Sequence, residues 1–160
     1  MSNREVARIL KEIAFFIRLT GANSSARAKQ CQHAAEALLS WPEQLITPAQ
    51  IEVLASMSTI GRAVALLITA LITTGRSTYC QQLRGGYPSS LAELGDVPRL
   101  SSKHIYFLYR DAGVRSLADL RLAVHNTEQL LAIPGFTPRV LADLCKVLEY
   151  EPSAVVAVTG

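Results

Sequence analysis

The segment STIGRAVALLITALITTGR, residues 58 to 76, holds a turn, a helix and a stop signal in succession. Ile60-Gly61 opens it as a tight turn. Residues 63 to 72 are apolar except for Thr69. Gly75 then ends the helix, because glycine just past a helix end takes positive φ without a Cβ clash. The apolar run is far shorter than the ~20 residues that cross a bilayer, and Arg62 and Arg76 flank it closely. A central helix buried on most sides is the expectation.

Helical spacing continues in both directions. Upstream, Val6, Ile9, Leu10, Ile13, Phe16 and Ile17 recur every three or four residues, which predicts an amphipathic helix over 3 to 19 with Asn3 as its N-cap. Gly21 to Ser25 form a turn. A second helix over 26 to 40 carries the small inward stripe Ala28, Cys31, Ala34, Ala35 and ends at Trp41-Pro42. Thr47-Pro48 starts a third, over 48 to 56. Downstream, residues 76 to 83 read as a short helix or turn. Gly85-Gly86-Tyr87-Pro88 is the clearest break in the chain. Short helices come next at 91 to 94, from Ser101 or Ser102 to Asp111, at 116 to 124, at 126 to 132 and at 138 to 149. No segment alternates like a strand. The fold class is all-α, in two small sub-domains at 1–84 and 91–150, with an apolar tail at 151–160.

Composition narrows the function classes. The chain has 160 residues, is 49% hydrophobic and carries a net charge of +3. That balance permits a polyanionic partner without demanding one. Cys31, Cys80 and Cys145 lie far apart without a CxxC, so buried free thiols are expected rather than disulfides or zinc ligands. His33, His104 and His125 have no metal-ligand spacing, and no cofactor motif is present. The charged start has no signal-peptide pattern, which points to the cytoplasm.

One unit recurs three times, at Ile60-Gly61-Arg62, Leu100-Ser101-Ser102 and Phe136-Thr137-Pro138. Counted from the middle residue, Ala65, Ile105 and Leu141 fall four residues on. Ile68, Leu108 and Leu144 fall seven on. All six are apolar and share a helical face. Each triplet comes just after a turn residue or proline. The unit resembles the helix-hairpin-helix motif, in which small residues bring the backbone close to phosphates and free N–H groups at a helix start bind them.

The order of parts is similar to the amino-terminal region of X-family DNA polymerases, a lyase-type domain with one hairpin followed by a second DNA-binding subdomain. The matching stretches are NREVARILKEIAFFIRLTG at 3 to 21, AAEALLSWPEQL at 34 to 45, TIGRAVALLITALITTGR at 59 to 76, and VRSLADLRLA with LLAIPGFTPRVL within 114 to 141. The polymerase palm has no counterpart here. The resemblance implies backbone contacts with duplex or gapped DNA by Ile60, Gly61, Arg62 and Ala63 in the first hairpin. Arg99, Ser101, Ser102 and Lys103 would serve in the second, and Gly135, Thr137 and Arg139 in the third. Arg27, Lys29 and His33, taken to recur on one side of the second helix, would hold a strand end.

The chain departs from the family at the chemistry. The family's Schiff-base lysine falls at Leu67, and companion lysines fall at Ala63 and Tyr79. The lysines present are Lys11, Lys29, Lys103 and Lys146, none on the central helix. Thr59 and Arg99 stand where the first hairpin glycine is usual, and Ser101 and Thr137 where the second is. The expected function is therefore non-catalytic, sequence-independent DNA binding, in the setting of DNA repair. An assembly module with a protein partner is the alternative, and a residual lyase using Lys29 or the N-terminal amine a third. Tyr106 and Phe107 could stack on bases, though core packing is the simpler reading.

Overall fold

A computed structural model of the chain describes residues 1 to 149; the tail at 151–160 lies outside the described residues. Every regular element among them is helical. The one isolated antiparallel bridge there joins Ser2 to Leu45. Contacts divide the chain into two compact units, Met1–Gly86 and a second beginning at Tyr87.

The first unit holds α1 (Asn3–Thr20), α2 (Ser25–Ser40), α3 (Pro48–Ser56), α4 (Arg62–Thr74) and α5 (Thr78–Arg84). Helix α1 supplies its core. Val6, Leu10, Ile13, Phe16 and Ile17 are buried together, and each such side chain contributes about 1.5–3 kcal/mol. Ala28, Ala34 and Ala35 of α2 are fully buried too, so small side chains let α2 lie close against α1. Helices α3 and α4 pack against each other as the arms of the first turn.

Two expectations are corrected here. Asn3 is not the N-cap of α1. Ser2 is, its Oγ accepting from the Glu5 N–H. Asn3 is the first helical residue and is buried. Its Nδ2 donates to the carbonyls of Leu38 (2.8 Å), Pro42 (3.2 Å) and Trp41 (3.5 Å). Its Oδ1 accepts from the Gln44 N–H at 3.0 Å. One side-chain amide thus satisfies carbonyls left open where α2 ends. Helix α4, in turn, is not buried on most sides. It buries Val64, Ala65, Ile68 and Leu71, while Leu66 is 62% exposed.

The second unit holds a 3₁₀ helix (Ser89–Asp96), α6 (Ser102–Ala112), α7 (Leu117–Ala123), α8 (Thr127–Leu131) and α9 (Pro138–Glu149). Leu91, Leu94, Ile105, Leu108, Leu120 and Leu130 form its core. No single helix among the described residues is long and apolar enough to cross a membrane.

The free thiols carry a prediction. Burial pushes the Cys31 and Cys80 thiols up to about 11. Both stay protonated in the folded chain after the unfolded chain has begun to ionise near its ordinary value of about 8.5. The stability they contribute is whole below that value and is lost as pH rises toward 11. At neutral pH a thiol reagent should modify the half-buried Cys145 first. Cys31 and Cys80 should react only after denaturant is added, as mass spectrometry of labelled peptides would show.

Candidate nucleic-acid interface

The three sequence repeats share one hydrogen-bond pattern, although positive φ falls at Gly61 in the first and two residues earlier, at Arg99 and Gly135, in the other two. In each, a turn closes three residues back: Ile60 N–H to Met57 O, Leu100 N–H to Val97 O, Phe136 N–H to Ile133 O. The residue after that donor starts the next helix, and its carbonyl accepts the first helical bond. These bonds run from Ala65 to Gly61, from Ile105 to Ser101 and from Leu141 to Thr137. Ile60, Leu100 and Phe136 all bury their side chains. An apolar plug thus pins each turn to its core, and the adjoining helix start is held outward.

The helix starts differ in what they leave open. Ser101 Oγ accepts from the His104 N–H at 3.2 Å, and Ser101 N–H donates to His104 Nδ1 at 3.2 Å. This reciprocal box occupies the Ser101 hydroxyl and N–H and the His104 N–H, so Ser101 is a cap. Thr137 Oγ1 accepts from the Val140 N–H at 3.2 Å. Gly61, the start of α4, has no side chain to cap with, and no other side chain caps it. The N–H groups of Arg62, Ala63 and Val64 precede the first helical bond and point away from the helix. Gly61 lies at φ 82, where a side chain would be strained, and a Cβ there would meet nothing within 4 Å. The space beside Gly61 is open.

The charged candidates fall into place around this geometry. Arg62 is 70% exposed and pairs with Glu52 of α3 at 3.7 Å. So exposed a pair is weak, and a phosphate can replace the carboxylate. Lys103 and Arg139 are exposed in the first turns of α6 and α9. Ser102 is half-buried at the start of α6. Arg99 adopts φ 70, the one non-glycine residue at positive φ among the described residues. The second repeat therefore keeps the backbone that a glycine would favour, at the corresponding place to Gly135 (φ 86).

On α2, Lys29 and His33 stand one turn apart and exposed, with His33 Nδ1 3.8 Å from Glu36. Arg27 does not share their side. It is half-buried and donates from Nε to Gln30 at 2.9 Å, because residues two apart on a helix do not face each other. Leu67 is half-buried on α4, and Tyr79 accepts a hydrogen bond from Asn23 at 2.8 Å. No group of His, Cys, Asp and Glu among the described residues could hold a metal ion.

Sequence reading missed the role of His104. Besides its box with Ser101, its Nε2 lies 3.2 Å from the Gly135 carbonyl oxygen. Its ring packs on Phe136 with centroids 4.9 Å apart. A single neutral tautomer satisfies both bonds, with Nδ1 accepting and Nε2 donating. A Cβ at Gly135 would fall 3.2 Å from this ring. His104 thereby ties the second repeat to the third. Its position three residues after Ser101 was the available signal.

Comparison with known proteins adds one likeness. The chain is 27% identical over 136 residues to the "DNA polymerase/3'-5' exonuclease PolX" of Bacillus subtilis (strain 168). The chain resembles part of a PolX. The alignment takes in 85% of this chain and 23% of the PolX. No protein-family model matches the chain. The matched length exceeds either unit alone, so the PolX likeness runs into both.

Proposed function

We propose that this chain binds DNA by its sugar-phosphate backbone, without reading sequence and without catalysis. One observation carries the reading: α4 opens with unbonded N–H groups behind a glycine turn, beside an exposed arginine. A helix start of this kind favours anions through its N–H groups and its dipole, and such contacts carry no sequence information. The likeness to a PolX, an enzyme that acts on DNA by its name, supports the same partner. Absence of catalysis is supported by Leu67, since no lysine lies on α4 to form a Schiff base.

Fluorescence anisotropy with duplex and gapped DNA at low salt tests the reading. Binding independent of sequence is expected. No binding by roughly 100 µM protein, the weak end of non-specific affinity, overturns it. Borohydride in the presence of an abasic duplex should trap no covalent adduct; an adduct on Lys29 or the N-terminal amine would overturn the non-catalytic part.

A second reading has its own observation. Ala63, Leu66, Leu67 and Ala70 lie side by side on the outer face of α4, and none of them is buried. An apolar stripe of that kind suits a protein partner. Association in sedimentation equilibrium, with no affinity for DNA, would favour it.

A further inference from the structure

We propose that the outer face of α6 is a stacking platform for single-stranded nucleic acid, formed by Lys103, Tyr106, Phe107 and Arg110. This goes beyond backbone binding at α4, because it needs unpaired bases and lies on a different helix.

The four residues are spaced by three, four and seven, so they form one stripe along α6. The buried residues of the helix, Ile105 and Leu108, lie on the opposite side. Core packing, the simpler expectation for these rings, is not what the structure shows. Tyr106 is 36% exposed and Phe107 is half-buried, and neither joins the core. The rings contact each other edge to face, with centroids 5.3 Å apart. The Arg110 guanidinium lies over both, 5.5 Å from the Tyr106 centroid and 4.7 Å from that of Phe107. Asp111 fixes the guanidinium with bonds of 2.8 and 3.1 Å. Tyr87 and Tyr109, with rings 5.2 Å apart, extend the aromatic surface. In a chain with only 6% aromatic residues this is a concentrated patch.

Lys103 at one end of the aromatic pair, and Arg110 at the other, where a phosphate can replace Asp111 in an exposed ion pair, suit a strand whose bases stack between them. Duplex DNA cannot use the rings, because its base faces are already covered. The stripe begins in the first turn of α6, where Lys103 is exposed. An exposed cation beside rings held outside the core favours nucleic acid over a protein occupant.

The test compares an oligothymidine of about 20 nucleotides, longer than the roughly 4–16 of one such site, with a duplex of the same length. Wild-type protein, Tyr106→Ala, Tyr106→Phe and Arg110→Ala are titrated against both. Tyr106→Ala should weaken oligothymidine binding about tenfold, the loss of one stacked base, and Arg110→Ala should weaken it too. Tyr106→Phe should keep the affinity, and duplex binding should not change. Equal loss on both nucleic acids would make Tyr106 a structural residue and overturn the proposal. So would unchanged oligothymidine binding, the outcome expected if a protein covers this face. Wild-type binding to duplex alone overturns the platform and leaves the α4 reading intact. Binding to oligothymidine alone does the reverse.

Discussion

Asn3→Asp should cost the first unit about 3 kcal/mol or more, since a buried group that loses its partner costs ~1–3 kcal/mol and a charged one more. The substitution changes almost no volume. It removes the Nδ2 donor shared among Leu38, Trp41 and Pro42 and sets a carboxylate against their carbonyl oxygens. No other polar side chain among the described residues is buried, so nothing nearby can take over. Burial among carbonyls would hold the new carboxyl above the ordinary carboxylate range. Once protonated, that carboxyl could donate one bond again. The deficit should therefore be largest at neutral pH and shrink as pH falls through the raised value. Asn3→Ala should lose less at neutral pH and show no such recovery. Thermal unfolding followed by circular dichroism reads all of this, with an expected fall of roughly 15 °C for Asn3→Asp. A melting temperature within a few degrees of wild type (about 0.5 kcal/mol) would contradict the latch.

Asn3 also marks the limit of what a sequence can show. The helices were legible because periodicity is local. Val6, Leu10, Ile13 and Ile17 name the buried face of α1 without any partner. The repeat was legible because Gly61, Ser101 and Thr137 are all helix starts, and a helix start fixes the register of the residues after it. Asn3 fits a cap by type, yet its partners lie 35 to 41 residues away, and no local pattern reports them. Helix α4 misled for the opposite reason. A run apolar on every side has no periodicity, so it cannot say that Leu66 faces out while Ile68 faces in.

The site was read less fully than the fold. Charge and small residues picked out Arg62 and Gly61. Whether the N–H groups beside them are free depends on side-chain geometry. Ser101 and Thr137 bond back to their own helices, which leaves α4 as the more accessible start. Arg99 shows that a lost glycine need not mean a lost turn, since its backbone keeps φ 70.

Those differences set the second large effect. Arg62→Glu should weaken duplex binding about tenfold or more at low salt and lower the salt dependence by about one phosphate contact. Glutamate in the first turn suits the helix dipole, so the fold should be retained. The variant would also place like charge beside Glu52, at the edge where phosphate is proposed. Lys103→Glu and Arg139→Glu should cost less, because Ser101 and Thr137 already occupy N–H groups at those starts. Titrations of the three variants against one duplex give the order directly. Equal losses, or a smaller loss for Arg62→Glu, would remove α4 from the interface.

The central claim is backbone recognition, and salt tests it most directly. Wild-type affinity for one duplex and for a shuffled sequence should be measured from about 50 to 200 mM salt. The two duplexes should bind alike, and log K should fall linearly with log salt at a slope of about −2 or steeper, each neutralised phosphate supplying ~−0.9. No binding, or an affinity that salt leaves unchanged, would contradict the account.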